Sequence, residues 1–245
     1  MNTAIDTNRL PYKSGLCTVT LTGVGANTDL DRVHAISKVF PLVEWGILLG
    51  SKQTPRYPMI KEIWNMLDNS KNIRYALHLC GDYAKKWLNG DSDLEFLSYS
   101  ASRIQINIRE KGVDFGNFVE TVDKFGWGQD IRIITQYNDN TLNLTEALKG
   151  IYTSNHNLLF DASGGNGITR GEWPTSFDHV MCGYAGGLGP DNLVALLPKI
   201  YEAANGNPFW IDMESSVRTN DELDLNKCID VLEICTKFKA NELRI

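Results

Sequence analysis

Eight short apolar runs, rich in β-branched and aromatic residues, recur along the chain with longer amphipathic segments between them. They are 16–21 (LCTVTL), 43–49 (VEWGILL), 73–79 (IRYALHL), 103–108 (RIQINI), 130–135 (DIRIIT), 157–161 (NLLFD), 179–184 (HVMCGY) and 208–213 (PFWIDM). Runs of this length and composition suit strands buried on both faces. Helical periodicity follows seven of them, over 29–39, 58–68, 82–89, 115–125, 142–149, 190–204 and 223–238, and only the sixth run leads into a mostly irregular connection. Strands that alternate with crossovers predict a parallel sheet. Eight such units in 245 residues match the ~250 typical of a closed (β/α)8 TIM barrel of the α/β class. The alternative is a doubly wound open sheet, which more often carries a GxGxxG turn after its first strand; 22–28 (TGVGANT) has only GxG. The barrel is expected to occupy 16–245 as a single domain, behind a polar arm over 1–15.

Composition narrows the partners. A formal net charge of −6 argues against general nucleic-acid binding, while leaving room for a local basic pocket and a small anionic ligand. The cysteines, Cys17, Cys80, Cys182, Cys228 and Cys235, form no CxxC pair and read as reduced thiols. The N-terminal stretch lacks the apolar core of a signal peptide and no run approaches a membrane span, so a cytoplasmic location without membrane partners is expected.

In a TIM barrel the active site is built at the C-terminal ends of the strands. Asp161 ends the sixth strand and is followed by a loop loosened by Gly164, Gly165 and Gly167, which reads either as a plain turn or as a site. Thr22, His78, Cys80, Asn107, Arg109, Gln136, Tyr184, Asp212 and Glu214 also fall at or just beyond strand ends, whereas His34, His156 and His179 do not and read as structural. Two further loops, 183–193 (GYAGGLGPDNL) and 211–219 (IDMESSVRT), follow strands seven and eight, the usual place of a barrel's phosphate cradle, built from backbone N–H groups and a helix N-terminus.

Asp161 with GGNG and Trp173, then AGGLGPDNL, then DMESSV, resembles the last third of the phosphoribosylanthranilate isomerase family, with its aspartate, GG(S/T)G loop, AGGL-P-NV loop and DVSSGVE-type strand end. Upstream, 20–33 resembles the family's KICG-T-LEDA opening and 51–58 its SKRYISP loop, so the likeness covers the chain from about residue 18. The resemblance implies a barrel without metal or cofactor that performs an Amadori rearrangement of an aminated phosphoribose. It also implies Asp161 as general acid, Gly186, Gly187, Ser215 and Ser216 around the phosphate, and Arg56 on the carboxylate of the aromatic amine.

Two departures matter. The family's cysteine base at the end of strand one is Thr22 here, and a threonine hydroxyl is too weak an acid to replace it unaided. Cys17, five residues away, is expected to face the helices and not the barrel interior. The SSGVE-like end is also changed, to Glu214-Ser215-Ser216-Val217-Arg218. A replacement base is offered by strand three, where Ala76, His78 and Cys80 share one face; the plain alternative for His78 is a hydrogen-bonded core residue. No lysine sits in a strand core for Schiff-base chemistry, and no HxH or ExH spacing points to a metal. Two classes remain: an isomerase on a phosphorylated sugar or its N-glycoside with an altered base, or a non-catalytic binder of a phosphoribosyl compound or nucleotide. Trp173 is the tryptophan expected near the ligand.

Overall fold

The computed structural model describes residues 15–52, 54–68, 72–108, 113–126, 131–138, 141–143, 146, 155–161 and 172–240. Eight strands form the barrel: β1 (Leu16–Thr22), β2 (Val43–Leu49), β3 (Tyr75–Cys80), β4 (Arg103–Asn107), β5 (Arg132–Tyr137), β6 (His156–Asp161), β7 (Met181–Ala185) and β8 (Phe209–Met213). They pair in sequence order, all parallel, and β8 pairs back onto β1, so the sheet has no edge. The expected (β/α)8 fold is therefore present, and every expected strand is found.

The described helices are α1 (Leu30–Val39), α2 (Ile60–Asp68), α3 (Asp82–Leu88), α4 (Ser92–Ser98), α5 (Phe115–Gly126), α6 (Leu193–Ala203) and α7 (Leu225–Lys239). Capping sets several of their starts: Asp29 accepts from the Arg32 N–H, Asp91 from Leu94, and Asp224 from Asn226 and Lys227. Helix α4 is an addition to the expected set, started by that Asp91 cap between α3 and β4. The expected helix over 142–149 falls mostly outside the described residues, as does 162–171, which contains Gly164, Gly165 and Gly167; Arg109 is outside them too. No described helix is long and apolar enough to cross a membrane.

The pleat sorts each strand into two faces. Val19, Leu21, Trp45, Leu77, Ile104, Leu158, Phe160 and Ile211 point outward and pack with helix residues such as Val33, Ile63, Val231 and Cys235 into the main core. Inside the barrel a second, smaller apolar cluster of Ile134, Leu159, Met181, Ala185 and Trp210 occupies one side. Much of the rest of the interior is polar. At its base the Arg103 guanidinium lies 4.6 Å over the Trp210 ring, bonds both carboxylate oxygens of Glu44 through Nε at 2.9 Å, and reaches Thr20 Oγ1 at 2.7 Å.

Cys17 differs from expectation. It packs against the inner cluster and donates to the Phe209 carbonyl at 3.0 Å, because the β1–β8 register shifts between Leu16 and Thr18 and breaks the simple alternation. It still cannot act for Thr22, because five residues of strand put it ~16 Å away at the opposite end of the barrel.

A short hairpin, β9 (Arg218–Thr219) and β10 (Glu222–Leu223), stands between β8 and α7. Its two turn residues, Asn220 and Asp221, have φ of 52° and 65°, the left-handed pair that a two-residue hairpin requires.

Candidate functional site

Two carboxyls stand on the same level of the C-terminal rim. Asp161 is registered with Ala185 and Ala185 with Asp212, so the pair is separated by one strand carrying only a methyl group, with backbones roughly 10 Å apart. Both are buried, at 5% and 8% exposure. Asp161 Oδ2 accepts from the Gln136 amide at 2.9 Å. Asp212 Oδ1 accepts from the Thr22 hydroxyl at 2.9 Å. Burial raises the Asp212 pKa from 3.8 to about 7; the Thr22 hydrogen bond and the Arg103 charge oppose the rise, and the charges of Asp161 and Glu44 add to it. Asp212 therefore changes protonation near neutral pH.

Across the ring, Ala76, His78 and Cys80 do share the inner face of β3, in register with Arg103, Gln105 and Asn107 of β4. Burial holds His78 at a pKa of about 4, so its ring is neutral near pH 7, and its Nε2 has no partner among the described residues. Cys80 accepts from the Asn107 amide at 3.5 Å, while Asn107 Oδ1 takes the Gln105 amide at 2.9 Å. Burial pushes the Cys80 thiol up to about 11. A thiol held this far above neutral pH supplies almost no thiolate. Cys17, also about 11, is no better placed.

The loops after β7 and β8 come together. Gly186 and Gly187 have φ of 114° and 64°, a turn that side chains would strain. The Ser216 hydroxyl donates to the Leu188 carbonyl, and Asn192 holds the turn from beneath by donating to the Gly187 carbonyl at 2.7 Å and accepting from the Gly189 N–H at 3.0 Å. Ser216 thus ties the two loops together with its proton, and Ser215 opens a single 3-10 turn over Ser215–Val217.

Arg56 is also at the mouth, but it already pairs with carboxylates of the chain itself. Its Nη2 lies 2.7 Å from Asp221 and its Nη1 3.1 Å from Glu214. These pairs tie the loop after β2 to the hairpin after β8. Burial raises the Glu214 pKa against the pull of Arg56 and Arg218.

Two expected ligand contacts are turned away. Tyr184 lies between Gly183 and Ala185 on β7, and Ala185 belongs to the inner cluster, so the pleat sends the tyrosine ring outward. There it packs against Phe160 and Phe209 and donates to the Pro174 carbonyl at 3.2 Å. Trp173 meets that outward ring edge-on at 5.9 Å, and so belongs to the same outer packing.

Sequence reasoning passed over Glu44 and Arg103 inside the barrel, and gave no role to Arg218 at its rim. Arg103 had a signal: Arg103, Gln105 and Asn107 alternate with Ile104 and Ile106, which marks a polar inner face. Arg218 was visible only as a departure from a resembling motif. Beside the rim, a cleft of about 370 Å³ opens between the loop after β1 and the hairpin, lined by Gly23, Pro55, Thr219 and Leu225 among others; it does not include Asp161, His78 or Asp212.

The sequence matches no protein-family model and no curated protein. Solved structures do match. N-(5'-phosphoribosyl)anthranilate isomerase from Pyrococcus furiosus is 15% identical, with 90% of this chain and 98% of that chain covered and a TM-score of 0.55. A phosphoribosyl anthranilate isomerase in complex with reduced 1-(o-carboxyphenylamino)-1-deoxyribulose 5-phosphate is 13% identical, with 90% and 99% covered and a TM-score of 0.58. Phospho-2-dehydro-3-deoxyheptonate aldolase from Thermotoga maritima is 12% identical, with 94% and 71% covered and a TM-score of 0.57. What is shared is the fold. At these identities it extends equally to an isomerase and to an aldolase, so the chemistry has to be argued from the side chains at this rim.

Proposed function

We propose that the mouth binds a phosphorylated sugar or its N-glycoside and isomerises it by proton transfer between two carboxyls, Asp161 as acid and Asp212 as base. The observation that carries this reading is the Thr22–Asp212 hydrogen bond of 2.9 Å. In the family that the sequence resembles, the base occupies the position of Thr22. Here the threonine hydroxyl holds, on the neighbouring strand, a carboxyl with a pKa of about 7. A base is most effective when its pKa lies near the working pH, which Asp212 meets and His78, at about 4, does not. His78 then serves as a neutral polar wall of the site. The phosphate is assigned to the Gly186–Gly187 turn and the start of the Ser215–Val217 turn, where backbone N–H groups and not lysines supply the donors.

A second reading, a binder without turnover, is favoured by the commitment of Arg56 to Asp221 and Glu214, which leaves the carboxylate contact implied by the resemblance already occupied.

The two readings separate on substitution. Phosphoribosylanthranilate turnover is followed by loss of substrate fluorescence, and ribose 5-phosphate affinity by calorimetry. Asp161→Asn and Asp212→Asn should each lower turnover by ~10²- to 10⁴-fold with little change in affinity. Thr22→Val removes a hydrogen bond that lowers the Asp212 pKa, so it should move the base limb of the pH–rate profile upward. Wild-type protein that binds ribose 5-phosphate but turns nothing over would select the binder; no binding at all would remove both readings.

A further inference from the structure

Arg218 is 6% exposed, yet its Nε and Nη2 have no hydrogen-bond partner among the described residues. Only Nη1 is engaged, by the Asp221 carbonyl at 2.7 Å across the β9–β10 turn. The guanidinium is pressed against the β1 end of the rim: a Cβ on Gly23 would stand 2.6 Å from Nη2 and 2.8 Å from Cζ, so this close approach requires glycine there. Its backbone carbonyl is fixed from the other side by Lys227 Nζ at 2.7 Å. The side chain is thus held at both ends while two buried charged donors are left without a hydrogen-bond partner among the described residues.

A buried guanidinium in this state is costly unless something accepts from it. The charges around it are Glu214, Arg56, Asp221 and the Tyr57 hydroxyl. Asp221 and Glu214 are both already paired with Arg56 through their side chains. Two guanidiniums therefore face two carboxylates, both bonded to Arg56, and Arg218 is the one left without a carboxylate hydrogen bond at the β8–β1 corner. A buried donor pair at a fixed angle matches the two-oxygen edge of a carboxylate or phosphate.

We propose that Arg218 anchors an anion subsite at the β8–β1 corner of the mouth, taking a carboxylate or phosphate group of the ligand through Nε and Nη2. The subsite rests on the reading of the mouth as a ligand site, but not on the glycine turn after β7. With both occupied, the ligand carries two anionic groups, one at each end. Arg218 takes the role that the ion pairs of Arg56 close to it.

The test titrates the wild-type protein with malonate and with inorganic phosphate at constant ionic strength, reading the Arg218 Nε–H resonance by nitrogen-15 NMR, with its assignment made by its loss in Arg218→Lys. A saturable shift with either anion is expected, together with roughly 10- to 100-fold weaker binding by calorimetry in Arg218→Met and Arg218→Lys. A resonance that stays still with both anions overturns the subsite, as does undiminished malonate and phosphate affinity in Arg218→Met. Should both variants fail to fold, mapping of phenylglyoxal modification on the wild type decides: slower labelling of Arg218 in malonate or phosphate supports the subsite, and unchanged labelling overturns it. Gly187→Val separates this proposal from the phosphate assignment. Loss of ribose 5-phosphate binding with malonate still shifting Arg218 supports the subsite as an independent one; retention of ribose 5-phosphate binding sinks the glycine turn as the phosphate cradle and leaves the malonate result to decide Arg218.

Discussion

The barrel buries one arginine at its base and another at its rim, and the two are treated differently. Arg103 has Glu44 on Nε, Thr20 on Nη2 and the Trp210 ring beneath it. Burial alone would raise the Glu44 carboxyl, but the Arg103 charge and hydrogen bonds outweigh it and hold Glu44 below its usual range. Arg218 is almost as buried, at 6% against 5%, and has one backbone carbonyl. Equal burial with unequal satisfaction separates a structural plug from a binding group. A closed network at the base holds the barrel together whatever the rim is doing, whereas the rim keeps unpaired donors that only a ligand would complete.

The base should give the largest stability effect. Glu44→Leu leaves Arg103 as an uncompensated buried charge and should cost ~3–5 kcal/mol in urea unfolding. Adding Arg103→Met to Glu44→Leu should recover most of that loss, because breaking a buried pair costs more than replacing it with apolar side chains. Arg218→Met, by contrast, should leave stability near that of the wild type or raise it, since it removes a poorly satisfied charge. Equal losses at the two arginines would erase the distinction between base and rim.

A smaller effect concerns pH. The Asp212 carboxyl rises from 3.8 to about 7 on folding, so between those values the folded state keeps a proton that the unfolded chain has released, and this group's contribution to stability falls as pH rises through that window. His78 and His156 act in the opposite sense. Each is lowered by burial from 6.5 to about 4, so their contribution is present above pH 6.5 and is lost as pH falls toward 4. Of these three groups, the two histidines make stability rise with pH between 4 and 6.5 and Asp212 makes it fall. Asp212→Asn removes that falling contribution. Its stability should climb more steeply than the wild type over that range and gain on the wild type up to about pH 7. Parallel curves would show that Asp212 ionises normally in the folded protein.

The same contrast shows what could be read from the chain. Strands buried on both sides carry their own signature, and VEWGILL is found at the bounds that its composition suggested, 43–49. Asp161, His78 and Asp212 were legible as rim residues because each closes or nearly closes such a run and the fold rule does the rest. Which way a residue points was less legible. On β1 a register shift between Leu16 and Thr18 turns Cys17 inward, and no local pattern announces it. The hairpin carrying Arg218 has two residues per strand, too few to alternate, and its only cue is the Asn-Asp pair at the turn. Partnership was least legible of all: that Arg56 is engaged while Arg218 is open depends on Asp221, which meets Arg56 through its side chain and Arg218 through its carbonyl.

Tyr184 offers the finest test of face. On β7, Met181, Gly183 and Ala185 share the inner face and Cys182 and Tyr184 the outer one, but a run as short as HVMCGY fits either phase when read as sequence. The ring is buried among Phe160, Phe209 and Trp173, and its hydroxyl meets the Pro174 carbonyl. Tyr184→Phe keeps that packing and removes one hydrogen bond, worth ~0.5–1.5 kcal/mol at most. Ribose 5-phosphate and malonate affinities should stay within twofold of wild type, because nothing on the inner face has moved. A larger loss of either affinity, with stability unchanged, would mean that the tyrosine reaches the ligand and that the phase of β7 assigned here is wrong.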